Sequence, residues 1–204
     1  LRLYSDNGMY YGDTRTTVSP GKVRITDGHL TLTAKSGHYD ANNRRADFFR
    51  DVVVSDLQNT IYSDTMVYFR DSAKVFSRSN VKVVSLENKT TAFSDSLEYH
   101  RRSRYSKMTG EPQLIQFDSV KIAGKDSIRI DTLFIKAKIL ISDKKDSSKA
   151  LYAIDSVKLL RNDLKIACNN MSYFTQDSLF ILEKSPVIWY ENNQIFSDSM
   201  TIYL

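Results

Sequence analysis

The sequence predicts an all-β fold: an antiparallel β-jelly-roll, or taco-shaped folded sheet, built from about seven two-strand repeats. Three features carry that expectation. A short block recurs along the chain, each block alternates with period two, and the composition suits strands and turns. Of 24 acidic residues, 19 are Asp and only 5 are Glu. Asp serves turns and caps, whereas Glu serves helix interiors. Twelve Tyr and ten Phe, with abundant Val, Ile and Thr, add to the β bias.

The first block is clearest in Ser63-Asp64-Thr65-Met66-Val67-Tyr68, Ser94-Asp95-Ser96-Leu97-Glu98-Tyr99 and Ser197-Asp198-Ser199-Met200-Thr201-Ile202. Weaker copies run from Ser5 to Tyr10, Ala34 to Tyr39, Ile130 to Ile135 and Cys168 to Tyr173. The copies end at positions 10, 39, 68, 99, 135, 173 and 202, a spacing of 29 to 38 residues. Within them Met66, Tyr68, Leu97, Tyr99, Met171, Tyr173, Met200 and Ile202 share one face, and Glu98, Ser172 and Thr201 the other. Period two with one apolar face is the signature of a half-buried strand. Ile61 stands out of phase with Met66, so a bulge or corner is expected at Ser63-Asp64.

A second block lies between the first ones. It reads Val23-Arg24-Ile25, Val52-Val53-Val54, Val81-Lys82-Val83, Gln113-Leu114, Val157-Lys158-Leu159 and Pro186-Val187-Ile188-Trp189. Arg24, Lys82, Gln113 and Lys158 fall on one face, with Val23, Ile25, Val81, Val83, Leu114, Val157 and Leu159 on the other. Polar connectors such as Asp40-Ala41-Asn42-Asn43 and Asp143-Lys144-Lys145-Asp146, and Asp-Ser pairs at 126–127 and 146–147 among others, read as turns. Between Lys149 and Ile166, Leu151, Ile154, Val157 and Leu160 also fit a helical stripe, but the repeat alignment makes the segment strand.

The repeats run unbroken, with only 7 Gly and 3 Pro, so residues 1–204 are expected to form one domain. Its longer, irregular repeats lie at about 112–166, their extra length expected in loops. With 41% hydrophobic and 26% charged residues, the chain has a globular composition. It holds no apolar run of about 18 residues and no signal-peptide pattern, and its start at Leu1 reads as that of a mature or trimmed chain. Cys168 stands alone, so neither an internal disulfide nor a Cys-based zinc site is expected. The first and last strands would be open edges, suited to head-to-tail pairing.

Two consecutive stretches resemble the OstA/LptA repeat. One runs from Ala34-Lys-Ser-Gly-His-Tyr-Asp40 through Arg45-Ala-Asp-Phe-Phe-Arg-Asp-Val-Val-Val54 to Tyr68; the other runs from Phe76 to Tyr99 and includes Ser79-Asn80-Val81-Lys82-Val83. The family's G-N-V reads Arg50-Asp51-Val52 and Ser79-Asn80-Val81 here. The resemblance implies a periplasmic β-jelly-roll whose apolar groove holds the acyl chains of lipopolysaccharide. It also implies partners: the inner-membrane extraction complex and the outer-membrane barrel of lipopolysaccharide transport.

On that resemblance the groove lining is expected from Val52, Val54, Ile61, Met66, Tyr68, Val81, Val83, Leu97, Tyr99, Val157, Leu159, Met171, Tyr173 and Trp189. The same residues, taken alone, also suit a packed core. Arg44, Arg45, Arg50, Arg101, Arg102, Arg104 and Lys107 are candidates for lipid phosphates or a solvated face. No cofactor is expected. His29, His38 and His100 lack metal-ligand spacing, and the chain has no phosphate-binding G-x-x-x-x-G-K, no G-x-S-x-G and no H-E-x-x-H, so no enzyme is expected. A net charge of +5 without a reading module argues against nucleic acid. The alternative reading is a structural or adhesive β-solenoid that binds protein or polysaccharide on its outer face.

Overall fold

The computed structural model describes residues 2–26, 28–121, 128–145 and 148–203, with backbone alone at 118–121, 128–130, 145 and 148. The Asp-Ser pairs at 126–127 and 146–147, and the last residue of the connector 143–146, lie outside the described residues. Among the described residues there is no helix, and hence none able to cross a membrane.

Twenty strands belong to one antiparallel assembly. Taken across their midpoints, they make thirteen passes, each inner pass pairing with the pass before and the pass after. Some passes are continuous, as in Arg45–Ser55, Asn59–Phe69, Lys74–Ser85 and Thr90–His100. Others are interrupted at the middle, as in Thr16–Ser19 with Val23–Thr26. Half of each pass belongs to one wall of the folded sheet and half to the other. In the first wall Val54 faces Ile61, which faces Val83; in the second Ala46 faces Tyr68, which faces Val75. The segment between Lys149 and Ile166 is strand, Ser148–Arg161 turning into Leu164–Phe174. Leu151, Ala153, Val157 and Leu159 point inward along it, while Ile154 and Leu160 point outward.

The crease between the walls obeys a simple count. Inward side chains flank it four residues apart on one pass and three apart on the next. Phe48 and Val52, Ser77 and Val81, Ala153 and Val157, and Leu182 and Pro186 are four-residue steps. Ala34 and Gly37, Ser63 and Met66, and Cys168 and Met171 are three-residue steps. Register shifts sit where the two meet, between Phe49 and Val52, Tyr62 and Thr65, Ser94 and Ser96, and Ile154 and Val157. Two opposing one is the arrangement of a β-bulge. Ser63-Asp64 does mark the corner, but the extra residue lies on the partner strand. That strand carries consecutive left-handed residues: Arg50 and Asp51 (φ 62° and 51°), Ser79 and Asn80 (61° and 53°), Asp155 and Ser156 (65° and 56°), and Lys184 and Ser185 (61° and 58°). Gly110 and Glu111 repeat the pair at 83° and 50°. The strand without the extra residue supplies the lock: Asn80 Nδ2 donates to Asp64 Oδ2 at 2.8 Å, and the Ser156 amide donates to Asn169 Oδ1 at 3.5 Å.

Inward residues stack rung by rung along the assembly. On the first wall Leu3, Ile25, Leu32, Val54, Ile61, Val83, Ala92, Leu114, Ile135, Leu159, Ile166, Ile188 and Ile195 are successive cross-strand neighbours. On the second, Phe48, Met66, Ser77, Leu97, Met108, Leu140, Ala153, Met171, Leu182 and Met200 do the same. Part of the extra length of the middle repeats is strand rather than loop, since Gln113–Lys121 pairs with Ile128–Lys136 over its whole length.

The left-handed pairs generate a stability test. A Cβ at Gly110 would overlap the Asp95 side chain, at a φ of 83°. Gly110→Ala is expected to lower stability by roughly 1–3 kcal/mol. Ser79→Gly, which relieves an L-residue held at φ 61°, is expected to raise it by about 1 kcal/mol. Thermal or urea unfolding of the two variants checks both signs.

Candidate functional site

Between the two walls runs a cavity of about 1660 Å³. Its apolar depth is built by the rungs just described, and it opens along the free edge opposite the crease. Of the residues expected from sequence, Val54, Ile61, Met66, Tyr68, Val83, Leu97, Tyr99 and Tyr173 line it. Ile25, Leu30, Phe48, Val75, Met108, Leu140 and Leu151 line it as well, without having been singled out. Val75 was within reach of pairing logic, because it faces Tyr68 on one side and Tyr99 on the other.

The remaining expected residues stand elsewhere. Val52, Val81 and Val157 sit at the crease, with exposures of 0%, 1% and 1%, and close the bottom of the fold rather than face the cavity. Leu159 and Met171 lie outside the lining, in a buried cluster that begins beneath the groove with Leu97, Met108 and Leu140 and continues through Ile166, Phe180, Leu182 and Ile188, beyond the last lining residue, Thr175. Trp189 is a correction. Ile188 faces Ile166 inward, and Trp189 faces Lys165 on the outer surface. Pro186, not Val187, occupies the crease position equivalent to Val52 and Val81, so the expected phase was one residue out.

The cavity therefore has one closed end. Tyr173, the last ring of its lining, stacks on Phe180 with centroids 4.1 Å apart and planes 11° from parallel. Toward the N-terminus the lining reaches Leu3, Ser5 and Gly8 in the first pass. Along the lips it turns polar, with Asn59, Ser85, Thr90 and Gln116 beside charged residues. Of the basic candidates named above, Arg101 alone lies in the lining. Arg44 pairs with Asp71 at 2.9 Å, and Arg45 with Asp47 at 2.6 Å, both on the outer surface; each carboxylate raises its guanidinium's pKa.

Among the described residues no group of three or more His, Cys, Asp or Glu is placed to hold a metal ion. His100 spends its Nε2 on Glu98 Oε1 at 2.5 Å, on the outer face. Cys168 is buried in the core, and burial pushes its thiol up to about 11. A cavity with an apolar floor and polar lips suits binding of an amphiphile.

Comparison with known proteins agrees with the repeat. Residues 1–95 match the family described as OstA-like protein. No curated protein matches the chain. Among solved structures, it is similar to one whose title reads "Crystal structure of LptH, the LptA homologous periplasmic component of the conserved lipopolysaccharide transport device from Pseudomonas aeruginosa". The two are 17% identical, over 64% of this chain and 92% of that one, with a TM-score of 0.48.

The burial of Cys168 gives a simple check on the filled third. Native protein at mildly alkaline pH is expected to resist iodoacetamide, because the thiol is both covered and protonated. Mass spectrometry should show no adduct until denaturant opens the core. Rapid native labelling would mean that the C-terminal passes are loosely packed.

Proposed function

We propose that this chain, OstA-like over residues 1–95, is a periplasmic lipopolysaccharide-binding bridge that holds lipid acyl chains in its apolar groove during transport to the outer membrane. The observation that carries the reading is the cavity of about 1660 Å³ between two ladders of apolar rungs. Pockets for single small molecules run to about 1,000 Å³, so this one has room for several hydrocarbon chains. Burying one acyl methylene is worth ~0.8 kcal/mol, and ten give ~8 kcal/mol gross, enough for binding without a cofactor. The chain acts as a single domain over residues 1–204 and catalyses no reaction of its own. With no nucleotide-binding loop, it depends on partner proteins for directional movement. The inner-membrane complex and the outer-membrane barrel of the transport system are those partners.

The ends of the assembly support such a place in a chain of proteins. The first pass, Arg2–Ser5 with Met9–Tyr11, pairs on one side only, as does the last, Asn193–Phe196 with Ser199–Tyr203. Each leaves an apolar rung uncovered, Leu3 at 56% exposure and Ile195 at 55%. An unpaired edge with an apolar inner face is a template for another sheet. Head-to-tail pairing there, with a second copy or a related domain, would extend the sheet, and it would carry the groove onward only at the N-terminal edge, where the lining reaches the first pass.

Photo-crosslinking in the host tests the lipid reading. A photoreactive residue in place of Tyr68 or Tyr99, both in the lining, is expected to capture lipopolysaccharide. One in place of Lys82 or Glu98, on the outer faces, is expected to capture none. Capture from the outer positions alone would favour a surface-binding β-solenoid instead. Mass spectrometry of an organic extract of natively purified protein should likewise reveal fatty-acyl material.

A further inference from the structure

The lips of the cavity differ in charge. Arg70, Lys89, Arg101 and Lys149 all belong to its lining, against the acidic Asp56 and Glu87. Asp56 is engaged in its own turn, where Oδ1 accepts the amides of Gln58 and Asn59 at 2.8 and 2.6 Å. Among the described residues, Arg70, Lys89 and Arg101 have no ion pair. The middle of the mouth therefore carries a surplus of cations directly above the apolar floor.

Lys149 is placed differently from the others. It opens the long strand Ser148–Arg161 in the second wall, and its Nζ donates to Asn88 Oδ1 at 3.0 Å. Asn88 stands on the turn between Lys74–Ser85 and Thr90–His100, at the lip of the first wall. Its own amide donates to Ser85 Oγ at 2.9 Å, which fixes its orientation. This bond joins residues 61 apart in sequence and spans the mouth. The ammonium is half-buried there, and burial, then the charge of Lys144, lowers its pKa, with the nearby Glu87 carboxylate opposing the shift. A neutral amide oxygen is a weak partner for such a group, and an anionic oxygen is roughly twice as strong.

We propose that Lys149, with Lys89 next to its partner Asn88 and Arg101 farther along the lip of its own wall, forms a subsite for the phosphate of a phosphate-bearing lipid whose chains lie in the groove. This rests on the reading of the groove as a lipid site. Asn88 holds the Lys149 ammonium across the mouth while the groove is empty. An arriving phosphate takes Asn88's place, so the bond that spans the mouth breaks as the headgroup binds. The chemistry would serve inorganic phosphate too, but only a headgroup tethered to buried chains is held at this lip over the cavity.

Displacement of the neutral fluorophore N-phenyl-1-naphthylamine tests this in the purified protein. The competitors are dodecyl phosphate and dodecyl maltoside, which share a chain and differ in head, each below its micelle concentration. Wild type is expected to prefer dodecyl phosphate by about tenfold, the equivalent of one charge-assisted hydrogen bond. Lys149→Met and Arg101→Gln are expected to remove that preference and leave dodecyl maltoside unchanged. Asn88→Ala, which frees the ammonium, is expected to tighten dodecyl phosphate about threefold, the worth of one ordinary hydrogen bond.

Equal affinity of wild type for the two heads overturns the subsite but leaves the groove standing. So does a parallel loss of both ligands in the lysine and arginine variants. Failure of the fluorophore and of dodecyl maltoside to bind at all overturns the groove, and the subsite with it. Inorganic phosphate at matched ionic strength is expected to leave the preference intact. If it abolishes the preference at concentrations comparable to the lipid, the site is one for free anions and the headgroup assignment is wrong.

Discussion

A strand alternates its side chains strictly, and the fold depends on what happens to that alternation at the crease. Each pass must cross from one wall to the other and arrive with its apolar face still inward. Along neighbouring passes the chain does this in four residues and then in three. The shorter step turns two consecutive residues outward, such as Asp64 and Thr65; the longer turns three, such as Phe49, Arg50 and Asp51. Had a pass taken the wrong step, every residue beyond it would have changed face. The longer step is achieved by two consecutive left-handed residues, a conformation that costs L-residues roughly 1–2 kcal/mol each. It persists with Arg, Asp, Ser, Asn and Lys at those positions because the pairing on both sides leaves no other path.

The same ladders build a groove in one region and a core in another. The open region includes rungs as small as Gly37, Ala46 and Ala92 beside larger ones such as Phe48, Met66 and Tyr68. The filled region stacks Ile135, Leu159, Ile166 and Ile188 on one wall, with Met171, Leu182 and Phe180 on the other. A vacant apolar trough contributes less to stability than a packed one, since its lining forfeits contacts on the open side. The last third of the chain can offset that loss. The molecule thereby separates stability from vacancy along its length, and the Tyr173–Phe180 stack marks the boundary.

What could be read from sequence follows from which signals are periodic. The repeat and its alternation predicted the strands, the inward faces of Met66, Tyr68, Leu97 and Tyr99, and a corner at Ser63-Asp64. They did not reveal which strand carries the extra residue. Arg50-Asp51 and Asp155-Ser156 are chemically unlike Gly-Asn, although their backbone does the same work. Val52, Val81 and Trp189 show a second limit. Alternation tells inward from outward, but not crease from groove, and a one-residue offset at Pro186 was enough to misplace the Trp. Whether the interior is open depends on the sum of volumes across two walls, which no single strand records. Lys149 was invisible as a site residue for the same reason, since its partner Asn88 comes from the opposite wall.

Recognition of an amphiphile divides naturally over this geometry. Hydrocarbon chains slide along apolar rungs with little preference for register, because each rung resembles the next and the hydrophobic effect is non-directional. Such a surface gives affinity without fixing position. A charged headgroup behaves oppositely, since charge-assisted hydrogen bonds are directional and local. A carrier built from rungs alone would hold its lipid at no particular place. On the proposed reading, Lys149 and the neighbouring Lys89, facing each other across the mouth, would define a resting point along an otherwise featureless track. The half-burial of Lys149 makes that point stronger than a fully solvated cation would. Its neutral placeholder, Asn88, keeps the ammonium hydrogen-bonded when no lipid is present, so the empty state does not leave a poorly solvated charge unpaired.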